Sequence, residues 1–274
     1  LADHESFNFL SVTFAIKNKI LLLKEIIIAF QAYAKAHQFI KKHKLWKWIL
    51  VPGLLYCTMF MISMYYFGHT SNMFIEWLNL KTGLNGWLEK IDSGWLSFFF
   101  ALSNFALWLV MVLFYFSFFK YIFLIVGSPL FAWLSEKTEA IIEGKEYPFS
   151  FRQLTKDIIR GIQIAARNCL WQTVYLIALL FASIIPVVGM IAPIIALLIE
   201  SYYYGFSMLD YSMERNEISA GESIFYIGHH RGFAIGNGIV FYMMHWVPLL
   251  GWILAPSYAI VAATLSISAE KEDE

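Results

Sequence analysis

The chain is short of charge. Only 15% of its 274 residues are Asp, Glu, Lys or Arg, and 20 basic and 20 acidic side chains cancel to a formal net charge of zero. With a pI near 7.2 there is no basic stripe for nucleic acid to neutralise, so no nucleic-acid partner is expected. Cysteine is almost missing as well. Cys57 lies inside an apolar run and Cys169 beside one, neither with an obvious disulfide partner, which excludes a disulfide scaffold and makes redox chemistry a poor reading. The sequence also lacks a nucleophile–histidine motif, a phosphate-binding glycine loop and a cofactor fingerprint, so it is not read as an enzyme: no catalytic residue, cofactor or metal is expected. Adjacent His229 and His230, without further ligands at metal spacing, make a poor zinc site. The N-terminus LADHESFNFL has no positive n-region followed by a short apolar core and a small-residue cleavage site, so no signal peptide is expected and the membrane segments themselves carry the targeting.

Apolar side chains dominate: 59% hydrophobic residues and a mean hydropathy of +0.60 belong to an integral membrane protein, read here as one membrane domain over 1–274. Residues 7–47 alternate apolar clusters such as ILLLKEIIIAF with eight lysines, the pattern of an amphipathic helix on a headgroup surface. Residues 48–67 supply the roughly 20 apolar residues that one span requires, with Pro52 near the start. Residues 68–94 are polar and turn-rich, carry Trp77 and Trp87, with Trp95 directly after them, as interfacial anchors, and are read as an outer loop. The run 95–126 is a second, longer span, whose Lys120 can snorkel to headgroups. Residues 129–168 are polar again and are read as cytoplasmic helices, with Gly144 as a C-cap and Ser150 with Gln153 as a capping box. Basic residues before the first span and in 129–168, against only Lys81 and Lys90 between, place both blocks in the cytoplasm.

The pattern changes after residue 168. Two segments, 169–208 and 233–268, share a frame in which Pro186, Gly189, Ala192 and Pro193 are answered by Pro248, Gly251, Ala255 and Pro256. The apolar limbs ahead of these corners cover only ~25 Å and ~20 Å as helix, short for a crossing. Either they are re-entrant hairpins whose freed main-chain groups face protein or water, or they are ordinary short hairpins in a thinned bilayer with Trp246 and Trp252 in the far headgroups. Partly penetrating hairpins are the favoured reading, because both corners carry the same breakers. Glu200 interrupts an apolar run and is either a proton-carrying carboxyl or a structural hydrogen bond to a neighbouring helix, Tyr203 or Tyr204. His229, His230 and Arg231 at a helix start can receive a phosphate-like anion, sense pH, or simply meet headgroups. Arg160 and Arg167 share a helical face and either line a cytoplasmic exit or form a positive-inside stripe. Glu136 and Glu139 are read as lying on a solvated helix face rather than as an acid–base pair.

Several motifs then occur in a telling order: ILVPGLL at the first span, SPLFAWLSEKTEAIIEG, Leu209-Asp210-Tyr211, His230-Arg231-Gly232, glycines 236 and 238, Ala255-Pro256 and Ala262-Ala263-Thr264. Together, over about residues 30–268, the chain resembles the CysZ sulfate permease and etoposide-induced-protein superfamily. The resemblance implies an all-α integral membrane protein with two long transmembrane helices and two partly penetrating hairpins, assembled as homodimers or larger homo-oligomers. It implies either uptake of sulfate or a related small oxyanion for cysteine synthesis across a bacterial inner membrane, or, as in eukaryotic relatives, a non-transporting membrane scaffold or stress-related interaction protein. Membrane lipid is a partner in both cases. The family's sulfate site resembles Gly-Leu-Arg-Arg leading to a proline. Here Lys44 stands in the glycine place, Leu45 agrees, Trp46 and Lys47 replace the arginines, and Pro52 agrees. Two lysines three apart still attract a dianion at a helix start, although they also fit positive-inside charge, with Trp46 as an aromatic-belt residue. The transport path is expected to pass Glu200, Arg231, His230, Pro186, Gly189, Pro248 and Gly251.

Overall fold

The computed structural model describes residues 2–82, 94–144, 151–182, 186–215 and 218–273. Eight helices account for nearly all of them: α1 (Ala2–Lys42), α2 (Trp46–Thr82), α3 (Gly94–Glu143), α4 (Phe151–Ala182), α5 (Pro186–Arg215), α6 (Ala220–His229), α7 (Arg231–His245) and α8 (Leu250–Asp273). No strand occurs among the described residues. Four stretches are long and apolar enough to cross a membrane, Trp46–Met73, Ser117–Glu143, Ile191–Glu214 and Leu250–Ala269. The chain is therefore an all-α, multi-pass integral membrane protein.

Helix boundaries differ from the sequence reading in instructive ways. The N-terminal helix does not run on to residue 47. It stops at Lys42, and Trp46 already belongs to α2. Residues 68–82, expected in a loop, continue α2, because local polarity does not interrupt a backbone already propagating as helix. The amphipathic stretch after Pro129 is likewise the continuation of α3, with Pro129 inside it. Gly144 does end that helix, at φ +68, in the left-handed conformation glycine adopts at no steric cost. Ser150 of the expected capping box lies outside the described residues, as do Trp87 and Lys90. Pro193 and Pro256 break nothing, since α5 and α8 run through them.

The chain divides into two compact units, Leu1–Tyr56 with Leu124–Glu274, and Cys57–Phe123. In the smaller unit α2 and α3 meet through Phe60 and Phe119, ring centroids 5.6 Å apart, and through Phe67 and Tyr115 at 4.4 Å. Lys120 is buried there with its ammonium over the Tyr121 ring, instead of snorkelling outward.

The larger unit holds both hairpins, α4/α5 and α7/α8, together with α1 and the first turns of α2. Antiparallel α5 and α7 touch backbone to backbone: a Cβ on Gly238 would stand 2.0 Å from the Ser201 carbonyl oxygen, and one on Gly205 the same 2.0 Å from that of Ala234. On the other side of α7, Gly232 and Gly236 press on Leu22, Glu25, Ile26 and Ala29 of α1. The glycine spacing at 232, 236 and 238 is thus a packing requirement on two faces of one short helix.

Burial changes sharply along each hairpin. In α5 every residue from Tyr203 to Glu214 is buried, and Ala255–Thr264 of α8 are buried too. Towards the corners the surface turns apolar and exposed, with Leu170, Val174 and Phe181 on α4, Ile191 and Ile194 on α5, and Met243, Trp246, Leu249 and Leu250 at the second corner. The helix bases are packed as a soluble protein is; the corner-side halves present the surface that lipid solvates.

Candidate functional site

The expected substrate residues sit at the junction of α1 and α2, and the backbone explains their pattern. Lys44 has φ +55; its N–H bonds the Lys41 carbonyl at 3.4 Å while Leu45 N–H reaches back to that of Ile40 at 3.0 Å. These are the two bonds of a Schellman C-cap, completed by the apolar contact expected between Leu45 and Ile40, both of which are buried. The residue required at the left-handed position is one that tolerates positive φ, which accounts for a glycine there in the motif this stretch resembles. Leu45 then opens α2, its carbonyl accepting from Trp48 at 2.9 Å and Ile49 at 3.1 Å. The N–H groups of Trp46 and Lys47 fall in the first turn, where a helix has donors without intrahelical acceptors. The Trp46 ring meets His37 edge-on at 6.1 Å, His37 Nδ1 is 2.8 Å from the Tyr258 hydroxyl, and Trp48 lies against Trp133 at 4.4 Å. Lys44 and Lys47 are exposed. A helix start, two cations and a rim of aromatic rings therefore occupy one corner of the unit.

This corner is joined to the second hairpin by the opening turns of α2. Ser257 donates to the Ile49 carbonyl at 2.8 Å, Gly53 lets Ile253 approach, and the Tyr56 hydroxyl lies 3.2 Å from His245 Nε2. Pro248 and Gly251 are at this far end. The corner's left-handed residue is Leu249, φ +63, not Gly251, whose missing side chain instead makes room for the Met244 carbonyl. The freed main-chain groups are used within the corner itself: Val247 N–H bonds Met244 O at 3.0 Å, Gly251 N–H bonds Val247 O at 2.8 Å, and the Trp252 indole donates to His245 O at 3.1 Å. With Trp246 85% exposed, this corner is apolar and outward-facing, and the expectation that its donors line a hydrated interior does not fit it. Pro186 opens α5, the place a proline fits best, and Gly189 lies in the same first turn.

Glu200 bridges the two hairpins. It accepts from Gln172 of α4 at 2.6 Å and from the Tyr242 hydroxyl of α7 at 3.1 Å, which is the structural hydrogen bond to a neighbouring helix that the sequence offered as one alternative. At the base of α7, His230 Nδ1 lies 2.8 Å from Glu25, and the second oxygen of that carboxylate accepts from Gly232 N–H at 2.9 Å. Glu25 thereby caps a helix whose own N-cap residue gives no side-chain bond. The anion expected at this helix start is supplied by the protein. Sequence reasoning passed over Glu25, although an acid inside ILLLKEIIIAF is as conspicuous as Glu200 in its own run.

Arg160 and Arg167 have separate roles. Arg160 holds Asp210 through two bonds, 3.2 and 2.8 Å, and also bonds the Ile218 carbonyl, while Ser223 donates to Asp210. Burial opposes its charge, but the hydrogen bond and charge of Asp210 outweigh that and lift the guanidinium above its ordinary value. The cluster ties α4, α5 and α6 together. Glu139, expected on a solvated face, is buried beside Thr138 in α3. Cys57 and Cys169 are in no disulfide, and no cluster of metal-ligating side chains occurs among the described residues.

A helical, multi-pass membrane protein with two helical hairpins is the class that the fold defines. Residues 32–256 match the family described as sulfate transporter CysZ/etoposide-induced protein 2.4, and the chain belongs to that family. It is 25% identical over 224 residues to the sulfate transporter CysZ of Pseudomonas aeruginosa, covering 79% of this chain and 85% of the relative. It is 28% identical over 178 residues to that of Pseudomonas syringae pv. tomato, covering 62% and 68%.

Proposed function

We propose that the chain is a CysZ-like permease for sulfate or a related small oxyanion in a bacterial inner membrane, working as a homodimer or larger homo-oligomer and feeding sulfur assimilation. The observation that carries this reading is the Lys44–Lys47 turn, where α1 is closed in the left-handed geometry of the family's glycine motif and α2 opens with first-turn amides between two lysines. A dianion there gains from the helix terminus and from both ammonium groups. Trp46 in place of an arginine removes a bidentate fork, so affinity rests on Lys44, Lys47 and the amides. From the turn the anion moves toward the seam between the hairpins, past Glu200 and out by His230 and Arg231, with Pro186, Gly189, Pro248 and Gly251 setting where the hairpins end. The chain carries no nucleotide-binding loop, which makes the flux passive or ion-coupled.

The test is labelled-sulfate uptake into sealed vesicles containing the purified protein, with Lys47→Ala beside the parent. Uptake above empty vesicles, reduced about tenfold by losing one charge-assisted contact, is the expected result. Flux equal to empty vesicles under several ion gradients defeats the reading.

A further inference from the structure

Two ring nitrogens border the Lys44–Lys47 turn without a protein partner. His37 lies on α1 ahead of the turn and Trp46 on α2 just after it, and their rings meet edge to face with centroids 6.1 Å apart. Both residues are exposed. The Trp46 indole N–H and His37 Nε2 make no hydrogen bond among the described residues. Trp46 therefore brings both a first-turn amide and an indole N–H to the turn.

A third ring fixes the imidazole. Tyr258 of α8 stacks on His37 at 6.1 Å, is itself buried, and holds its hydroxyl 2.8 Å from His37 Nδ1. That hydroxyl has one proton to give, and Nδ1 is the partner the described residues offer it. Buried hydroxyls keep their protons in hydrogen bonds. Tyr258 thus donates to Nδ1, and the neutral imidazole carries its own proton on Nε2.

Charge near the turn has one sign. Five lysines occupy 35–47, while no Asp or Glu occurs in 26–75 or in Leu250–Ala269. Lys44 and Lys47 pair with no carboxylate among the described residues.

The geometry points to an aromatic donor pair, His37 Nε2–H and the Trp46 indole N–H, that binds the anion taken by the Lys44–Lys47 turn, with Tyr258 as the positioning residue. This rests on the reading of that turn as the place of the anion. Bonds from ring N–H groups to an ionised oxygen are charge-assisted. The consequence is selectivity. Ammonium groups, helix amides, indole and an Nε2-protonated imidazole are all donors, so the lining suits an oxyanion whose oxygens all accept. Sulfate is such an ion. Phosphate near neutral pH keeps an O–H, and a lining of donors leaves it unpaired.

The experiment measures labelled-sulfate binding to full-length protein in detergent, with phosphate as competitor, and sulfate uptake into vesicles from the same preparations. The variants are His37→Ala, His37→Gln, Tyr258→Phe and Lys47→Ala, each checked for a symmetric elution peak. His37→Ala should bind sulfate about tenfold more weakly, and His37→Gln, whose amide offers a donor in place of Nε2, should recover most of that loss. Tyr258→Phe releases the tautomer, so Nε2 can accept an O–H and phosphate should compete about fivefold better. In 15N-histidine spectra the Nε2 resonance of His37, assigned by its loss in His37→Gln, should move toward that of an unprotonated nitrogen; a packing role for Tyr258 would move neither readout. Parent-like sulfate binding by His37→Ala overturns the proposal, and a weakened Lys47→Ala beside it leaves the turn standing. Phosphate competition unchanged by Tyr258→Phe overturns it too, as does a parent that binds no sulfate. Phosphatidylglycerol retention in native mass spectrometry separates the free ion from a headgroup: lipid lost in His37→Ala with sulfate binding intact gives the donors to lipid and overturns their part in sulfate binding. Absence of uptake with His37-dependent binding retained sinks the permease reading and leaves the donor pair standing.

Discussion

A lysine with positive φ holds its Cβ against a neighbouring carbonyl, a conflict that glycine escapes. Lys44→Gly is expected to raise stability by about 1 kcal/mol, read as a higher melting temperature, and to weaken sulfate capture in the same sample because a cation is gone. A variant whose stability falls would remove the strain argument. Asp210 is the opposite case, a buried acid whose partners are all in place. Asp210→Ala leaves Arg160 without its counter-charge and is expected to cost about 3–5 kcal/mol, seen as lost melting temperature. Arg167 offers a contrast, since its charge has no carboxylate to lose and its conservative variant should leave stability within about 0.5 kcal/mol.

Among the elements, α7 is the most constrained, fifteen residues long with neighbours pressed onto two faces. Gly238→Ala would put a methyl carbon on the Ser201 carbonyl, and neither backbone can give way as a flexible side chain would. A loss of about 2–3 kcal/mol and a separation of α5 from α7 are expected, measurable as lower melting temperature and faster proteolysis between the hairpins. The short α6 depends on a capping box, Ser219 N–H to Glu222 at 2.9 Å and Glu222 N–H to the Ser219 hydroxyl at 3.3 Å. The bonds to Ser219 hold the Glu222 carboxyl below its ordinary value. A depressed folded-state value means the cap is intact above the unfolded value of about 4.5 and is lost as pH falls through the folded one. Protection of the amides at 219–222, after correction for the intrinsic pH dependence of exchange, should fall as pH drops through the lowered Glu222 value, with Glu222→Gln flattening that dependence.

Helix type, the short α7 limb and Gly144 were all legible in the sequence, because apolar runs, breakers and caps are local signals. The continuations of α2 past Phe67 and of α3 past Pro129 were not, since a helix already formed tolerates residues that would not start one. Lys44, Trp46 and Lys47 were legible through the resemblance alone; only φ at Lys44 shows why that place suits glycine. Glu25, Gln172 and Tyr242 escaped because their importance lies in partners up to 207 residues away, a separation no local pattern encodes.

For the molecule as a whole, the decisive quantity is how deep the second corner reaches. Tyr56, against which His245 packs, stands about 15 Å of helical rise beyond Trp46, half of a ~30 Å hydrocarbon core. With Trp46 at the headgroups, the corner ends near the bilayer midplane. A nitroxide on Val247→Cys, in protein freed of Cys57 and Cys169, should show an oxygen-to-nickel accessibility ratio typical of mid-acyl depth. A ratio typical of the opposite headgroups would mean a full crossing.

Hairpins that stop midway add cross-sectional area to one leaflet and none to the other. If the measured depth is mid-acyl, each copy is a molecular wedge, crowding the lipids on its own side and relaxing those opposite, and the protein should prefer membranes already bent to suit it. Its residence in small vesicles over flat supported bilayers would follow from nothing more than where Trp246 stops.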